Sequence, residues 1–159
     1  MNPLVREVEI RRATVADVPE MAESRSGDPV AGPADSRMAA YLDGRHHPQQ
    51  ALAPRVAYLA TVSEKVVGYV AGHLSHRYGC EGEVQYLYVA PAHRRAGVAS
   101  ALLRELAQWF VLQGVARICV DVNAESPGAA PFYAHHGARR LRPHWLSWPD
   151  ISTVFERPK

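Results

Sequence analysis

The sequence predicts an α/β protein: a mixed sheet with helices on both faces. Three observations carry that expectation. The stretch RVAYLATVSEKVVGYVAGHLSHR holds two β-rich runs around Ser63, Glu64 and Lys65, the pattern of an antiparallel hairpin. From Gly97 the periodicity turns helical, with Val98, Leu102, Leu103, Leu106 and Phe110 forming one apolar stripe that Gly114 ends. Strand-like and helical segments then alternate toward the end of the chain. At 159 residues, 47% apolar and 21% charged, the chain has an ordinary globular composition, and its length suits one domain over residues 1–159.

The elements follow in order. VREVEIRRAT alternates as a first strand. Thr14 or Asp17 can cap the helix that follows, and Pro19 sits where a first-turn proline is tolerated ahead of MAESR. Gly27 to Pro33, with two Gly and two Pro, is a loop; ADSRMAAYLDG is a second short helix ending at Gly44; HHPQQALAP is an irregular link. After the hairpin, EGEVQYLYVAP is a strand stopped by Pro91, the long helix runs from Gly97, and ARICVDVNA returns to strand. APFYAHHGA is a short helix closed by Gly137, and the tail ARRLRPHWLSWPDISTVFE is strand-like with breaks at Pro143 and Pro149. The expected order is β-α-α-β-β-β-α-β-α-β-β.

Charge and cysteine usage exclude several function classes. Eighteen basic against 16 acidic residues leave +2, too little for the concentrated basic stripe of a nucleic-acid binder. Cys80 and Cys119 lie far apart in sequence without CxxC spacing, so neither a disulfide framework nor a thiolate zinc site is expected, and a reducing, cytoplasmic setting fits. The His pairs His46-His47, His73-xx-His76 and His135-His136 lack a third ligand, so no metal is expected. No apolar run approaches the roughly 20 residues of a spanning helix, and Arg6 and Glu7 interrupt any exported leader, so no membrane partner is expected either.

The most informative segment is EVQYLYVAPAHRRAGVASALL. Pro91 ends a strand, AHRRAG turns, and a helix opens at Gly97 to Ala99 with no side chain large enough to cover its first turn. Backbone N–H groups then point outward and, with the helix dipole, form a site for a phosphate or pyrophosphate. Gly97 permits close approach and Arg94 or Arg95 adds charge at the rim. A dinucleotide fold would need GxGxxG with an acidic residue at the end of the next strand, and this loop has one glycine of the three; a P-loop would need a Gly-Lys-Ser/Thr, and none follows the turn.

Arg94-Arg95-Ala96-Gly97-Val98-Ala99 fits the pattern of Gln or Arg, two residues, Gly, one residue, then Gly or Ala, and LYVAPAHRRAGVASALL resembles the acetyl-CoA motif of the GNAT acetyltransferase superfamily. VDVNAESPGAAPFYAHHGAR resembles that family's next block, and the likeness spans about Arg55 to Leu141. The resemblance implies a mostly antiparallel sheet that splays between its fourth and fifth strands, with acetyl-CoA as cosubstrate and an amine as acceptor. It implies cofactor contacts from Leu87, Tyr88, Val89, Arg94, Arg95, Ala96, Gly97, Val98, Ala99, Ser100, Asn123 and Phe132. Of these, the Val89 N–H is the expected donor to the thioester oxygen and Asn123 the expected partner of the pantetheine amides, while Phe132 also reads as core. Glu83 takes the place of the family's base, with Glu81 and His73 as weaker candidates, and Tyr133 that of the phenol serving the leaving thiolate. A GNAT-like domain that senses acyl-CoA without turnover is the alternative. Ala138 departs from the family, which usually has an aromatic after this glycine. Trp145 and Trp148 are expected near an edge strand, either capping the core or, preferentially, contacting a second copy in a homodimer.

Overall fold

The computed structural model describes residues 8–25, 51–122 and 128–156. The expected second helix and Asn123 lie outside them. The strands are β1 (Val8–Arg12), β2 (Ala51–Val62), β3 (Lys65–Ser75), β4 (Gly82–Val89), β5 (Ile118–Asp121), β6 (Arg139–Arg142) and β7 (Trp145–Trp148). The helices are α1 (Val18–Arg25), α2 (Val98–Leu112) and α3 (Ala129–His135). The strands form one sheet in the order β1-β2-β3-β4-β5-β7-β6, antiparallel except where β4 meets β5. This is the mixed α/β architecture that the sequence predicts.

Local chemistry accounts for the element ends. Asp17 Oδ2 accepts from the Thr14 N–H at 2.8 Å, fixing the short 3-10 turn that leads into α1. Ser63 and Glu64 both take positive φ, 50° and 67°, as a two-residue hairpin turn between right-twisted strands requires. β2 begins at Ala51, inside the stretch expected to be an irregular link. Pro54 is accommodated because the β2–β3 register slips between Leu52 and Arg55, where a missing donor is tolerated.

Two cores sandwich the sheet. The stripe Val98, Leu102, Leu103, Leu106 and Phe110 of α2 is wholly buried against Val56, Val70, Val84, Ile118 and Val120. Each fully buried leucine or phenylalanine contributes on the order of 1.5–3 kcal/mol. On the other face α1 buries Met21 and Val18 among Ala57, Leu59, Tyr69 and Ala71. Gly82 lets α2 press close, since a Cβ there would stand 2.6 Å from Phe110 Cε1.

The C-terminal strands correct one expectation. β7 lies between β5 and β6, so it is internal, and Trp148 is completely buried, its Nε1 donating to the His136 carbonyl at 2.9 Å. Trp148 therefore takes the core-capping alternative, while Trp145 keeps part of its surface exposed. Ala138, where the family has an aromatic, is buried in the same cluster.

Candidate active site

The parallel pairing of β4 with β5 covers only Gly82↔Ile118, Glu83↔Cys119 and Val84↔Val120, whereas β4 runs on to Val89. Beyond Val84 the two strands part. Gln85 is the extra residue of a bulge, since Val84 pairs with Gly72 and Tyr86 with Ala71. The Ala90 N–H donates to the Val67 carbonyl at 2.8 Å, so by antiparallel alternation Tyr88 exchanges hydrogen bonds with Tyr69, while Leu87 and Val89 turn their main chain away from β3, into the gap. Arg94 Nε donates to the Val89 carbonyl at 2.8 Å, and its guanidinium lies 5.8 Å from the Tyr88 ring centre. Arg94 thus ties the end of β4 to the following turn. The Tyr88 ring faces Tyr69 at 5.6 Å.

Past Val89, Pro91–His93 make one 3-10 turn, Arg95 takes φ 64°, and Gly97 takes φ 84° immediately before α2. No side chain caps that helix, and a Cβ at Gly97 would meet nothing within 4 Å. Arg95, Ala96 and Gly97 are exposed, Ala99 is half-buried and Val98 points into the core. Bare space over an uncapped helix start, reached through a left-handed glycine, fits the two linked phosphates of coenzyme A. The Ser100 hydroxyl, expected to meet the cofactor, lies 2.9 Å from His136 Nε2.

α3 supplies the aromatic side of the site. Tyr133 is buried edge-on to Trp148 at 5.6 Å, and that burial pushes its phenol above the usual value of 10.0. Phe132 is half-buried, its ring 4.7 Å from His136. His136 is held below the ordinary imidazole value by burial first, then by His135 and Arg104. The sequence offers His136 only as half of a dismissed metal pair; its link to Ser100 depends on α3 docking against the first turn of α2. Among the described residues no three metal-ligating side chains converge.

On the α1 face of the sheet, at the point where β4 and β5 part, lies a buried cluster of charges. Glu83 is 5% exposed rather than a solvated strand-end carboxylate. Its Oε2 is 3.4 Å from His73 Nε2, the cross-strand partner, and 3.5 Å from Arg77 Nε. Glu81 is used otherwise: its Oε1 accepts from the N–H groups of Ala116 and Arg117 at 3.0 and 3.1 Å, which holds its carboxyl below the usual range. Cys80 and Cys119, distant in sequence, are buried with hydrogen-bonded thiols; this contact lowers Cys80, whereas the same contact and burial raise Cys119. A recess of about 570 Å³ lined by Glu9, Ile10, Arg11, Thr61 and Glu64 lies at the opposite, β1 edge of the sheet, away from these groups.

The profile of the Acetyltransferase (GNAT) family matches residues 19–138, and the chain belongs to that family. Its fold is shared by solved structures of low sequence identity. An acetyltransferase of the GNAT family from Staphylococcus aureus Mu50 is 14% identical with a TM-score of 0.69, over 89% of this chain and 98% of that one. The ribosomal-protein-S18-alanine N-acetyltransferase of Escherichia coli is 17% identical at TM-score 0.69, over 91% and 94%. The PaiA N-acetyltransferase of Thermoplasma acidophilum, solved in complex with coenzyme A, is 15% identical at TM-score 0.64, over 89% and 96%. No curated protein matches the chain. No helix among the described residues is long and apolar enough to cross a membrane.

Proposed function

We propose that the chain is an N-acetyltransferase that moves an acetyl group from acetyl-CoA to a primary amine of a small molecule or peptide by direct attack. The observation that carries this reading is the juxtaposition of three features along β4: the uncapped start of α2, the main chain of Leu87 and Val89 released from β5, and the buried Glu83 where the strands part. Acetyl-CoA supplies the activated acetyl group, and the protein supplies orientation and proton handling.

The N–H groups around Gly97, Val98 and Ala99 hold the diphosphate, with Arg95 at the rim. The Val89 N–H is a fixed donor for the thioester oxygen; such a donor in a dry site is typically worth about 3 kcal/mol of barrier. An alkylammonium is only about 0.1% deprotonated at pH 7, a deficit of roughly 4 kcal/mol. Glu83 removes that proton. His73 and Arg77 keep its carboxylate in place, since an unpaired buried charge would be strongly disfavoured. Tyr133 serves the departing sulfur. A phenol held above its usual value is a weaker acid than a thiol near 8.5, so its contribution is a donated hydrogen bond rather than a completed proton transfer.

Thiol release with an amine panel tests this in wild type and Tyr133→Phe. Turnover in wild type that falls about tenfold or more in the variant supports the reading. Coenzyme A binding without turnover on any amine would overturn it.

A further inference from the structure

We infer that the acceptor amine also bears a carboxylate, held by a tray of guanidiniums and aromatic rings on the α1 face of β6 and β7. The inference rests on the acetyl-transfer reading and adds its substrate class. The side of the sheet follows from alternation: Leu146 and Trp148 belong to the core under α2, so Trp145 and Ser147 face the other way. Their cross-strand partners Arg142 and Arg139 share that face. Trp145 pairs with Asp121, one residue past Val120, where the contact of β5 with β4 ends. The tray therefore begins where the two strands part, on the Glu83 side of the sheet.

The contacts form a continuous ladder. Arg77, with its Nε 3.5 Å from Glu83, places its guanidinium carbon 5.0 Å from the Trp145 ring centre. Tyr78 stands edge-on to Trp145 at 5.3 Å, and Arg142 lies over Tyr78 at 4.2 Å. Tyr78 adopts φ 53°, an uncommon conformation for a large side chain, and it is 41% exposed. The fold thus holds a strained aromatic half in solvent between two arginines. Stacking on Tyr78 fixes the plane of the Arg142 guanidinium, and the exposed Arg142 can present its N–H edge to a carboxylate in bidentate fashion, while Arg77 stays engaged with Glu83. Arg139, also exposed, adds a third cation on the same face. An acceptor with its ammonium toward Glu83 and a carboxylate several bonds away would complement both ends of the ladder.

The test compares straight-chain ω-amino carboxylates with alkylamines of the same length, whose amine basicities are similar. Wild type is expected to show a KM at least about tenfold lower for the amino carboxylate, with little difference in kcat; in Arg142→Gln the ratio of the two KM values falls toward one, and Arg142→Lys restores part of it. Calorimetry with the same amino carboxylates in the presence of coenzyme A gives a readout that needs no turnover. Arg142-dependent binding without turnover would uphold this inference while overturning the acetyl-transfer reading. Equal KM values across each pair, or preference for the amine that lacks the carboxylate, would overturn the inference alone. So would an Arg142→Gln variant that weakened coenzyme A binding instead, because the cation would then serve a cofactor phosphate.

Discussion

The two ends of β4 work through different parts of the chain. On the proposed reading, the binding surface at the Val89 end is main chain: Gly97, Ala96 and Ala99 matter for the side chains they lack, and the N–H groups of an uncapped helix would do the holding. At the Gly82 end it is side chain: Glu83, His73, Arg77 and Trp145 arrive from separate segments and meet in a buried or half-buried cluster. A main-chain site tolerates any substitution that keeps it bare. A buried charge cluster tolerates almost none, since deleting one partner strands the others.

That contrast can be broken by substitution. The largest expected effect is from Glu83→Gln, which lowers kcat/KM by about two to three orders of magnitude, the range of a general base, while calorimetry finds coenzyme A affinity unchanged. A parallel loss of affinity would mean that the two ends are not independent. Gly97→Val comes next and acts in the opposite sense. A left-handed β-branched residue costs roughly 1–2 kcal/mol, and its side chain fills the space over the helix start, so coenzyme A affinity falls about tenfold or more and kcat at saturation changes less.

The smallest effect concerns the link between α2 and α3. His136 sits below its ordinary value, so below pH 6.5 the unfolded chain binds more protons there than the folded one. Stability therefore rises with pH through the window between the lowered folded value and 6.5. Replacing His136 by Gln flattens that rise by about 1–2 °C in melting scans at pH 5 and pH 7, compared with wild type.

The same contrast governs what the sequence discloses. The main-chain end was legible because it is local: Pro91, Gly97 and the stripe from Val98 to Phe110 lie within one continuous segment, and the structure buries that stripe as its spacing requires. The side-chain end was only partly legible. Glu83 was found by resemblance, but its burial depends on His73, ten residues earlier on a neighbouring strand, and on the loop that lays Arg77 across the sheet. Local alternation reveals that Trp145–Trp148 is a strand but not that it inserts between β5 and β6, so the sequence alone leaves core capping as the less favoured of two alternatives for Trp148. The contact of Cys80 with Cys119 escaped for the same reason, because sequence distance says nothing about which strands become neighbours.

The indole of Trp148 gives the molecule an internal optical gauge. It is sealed from water, bonded through its N–H to the carbonyl of His136 and set edge-on to Tyr133, so its emission should be blue and shielded from quenchers. Any rearrangement of the segment that carries Tyr133 would disturb both neighbours at once and register as a change of colour or intensity, without a label being attached.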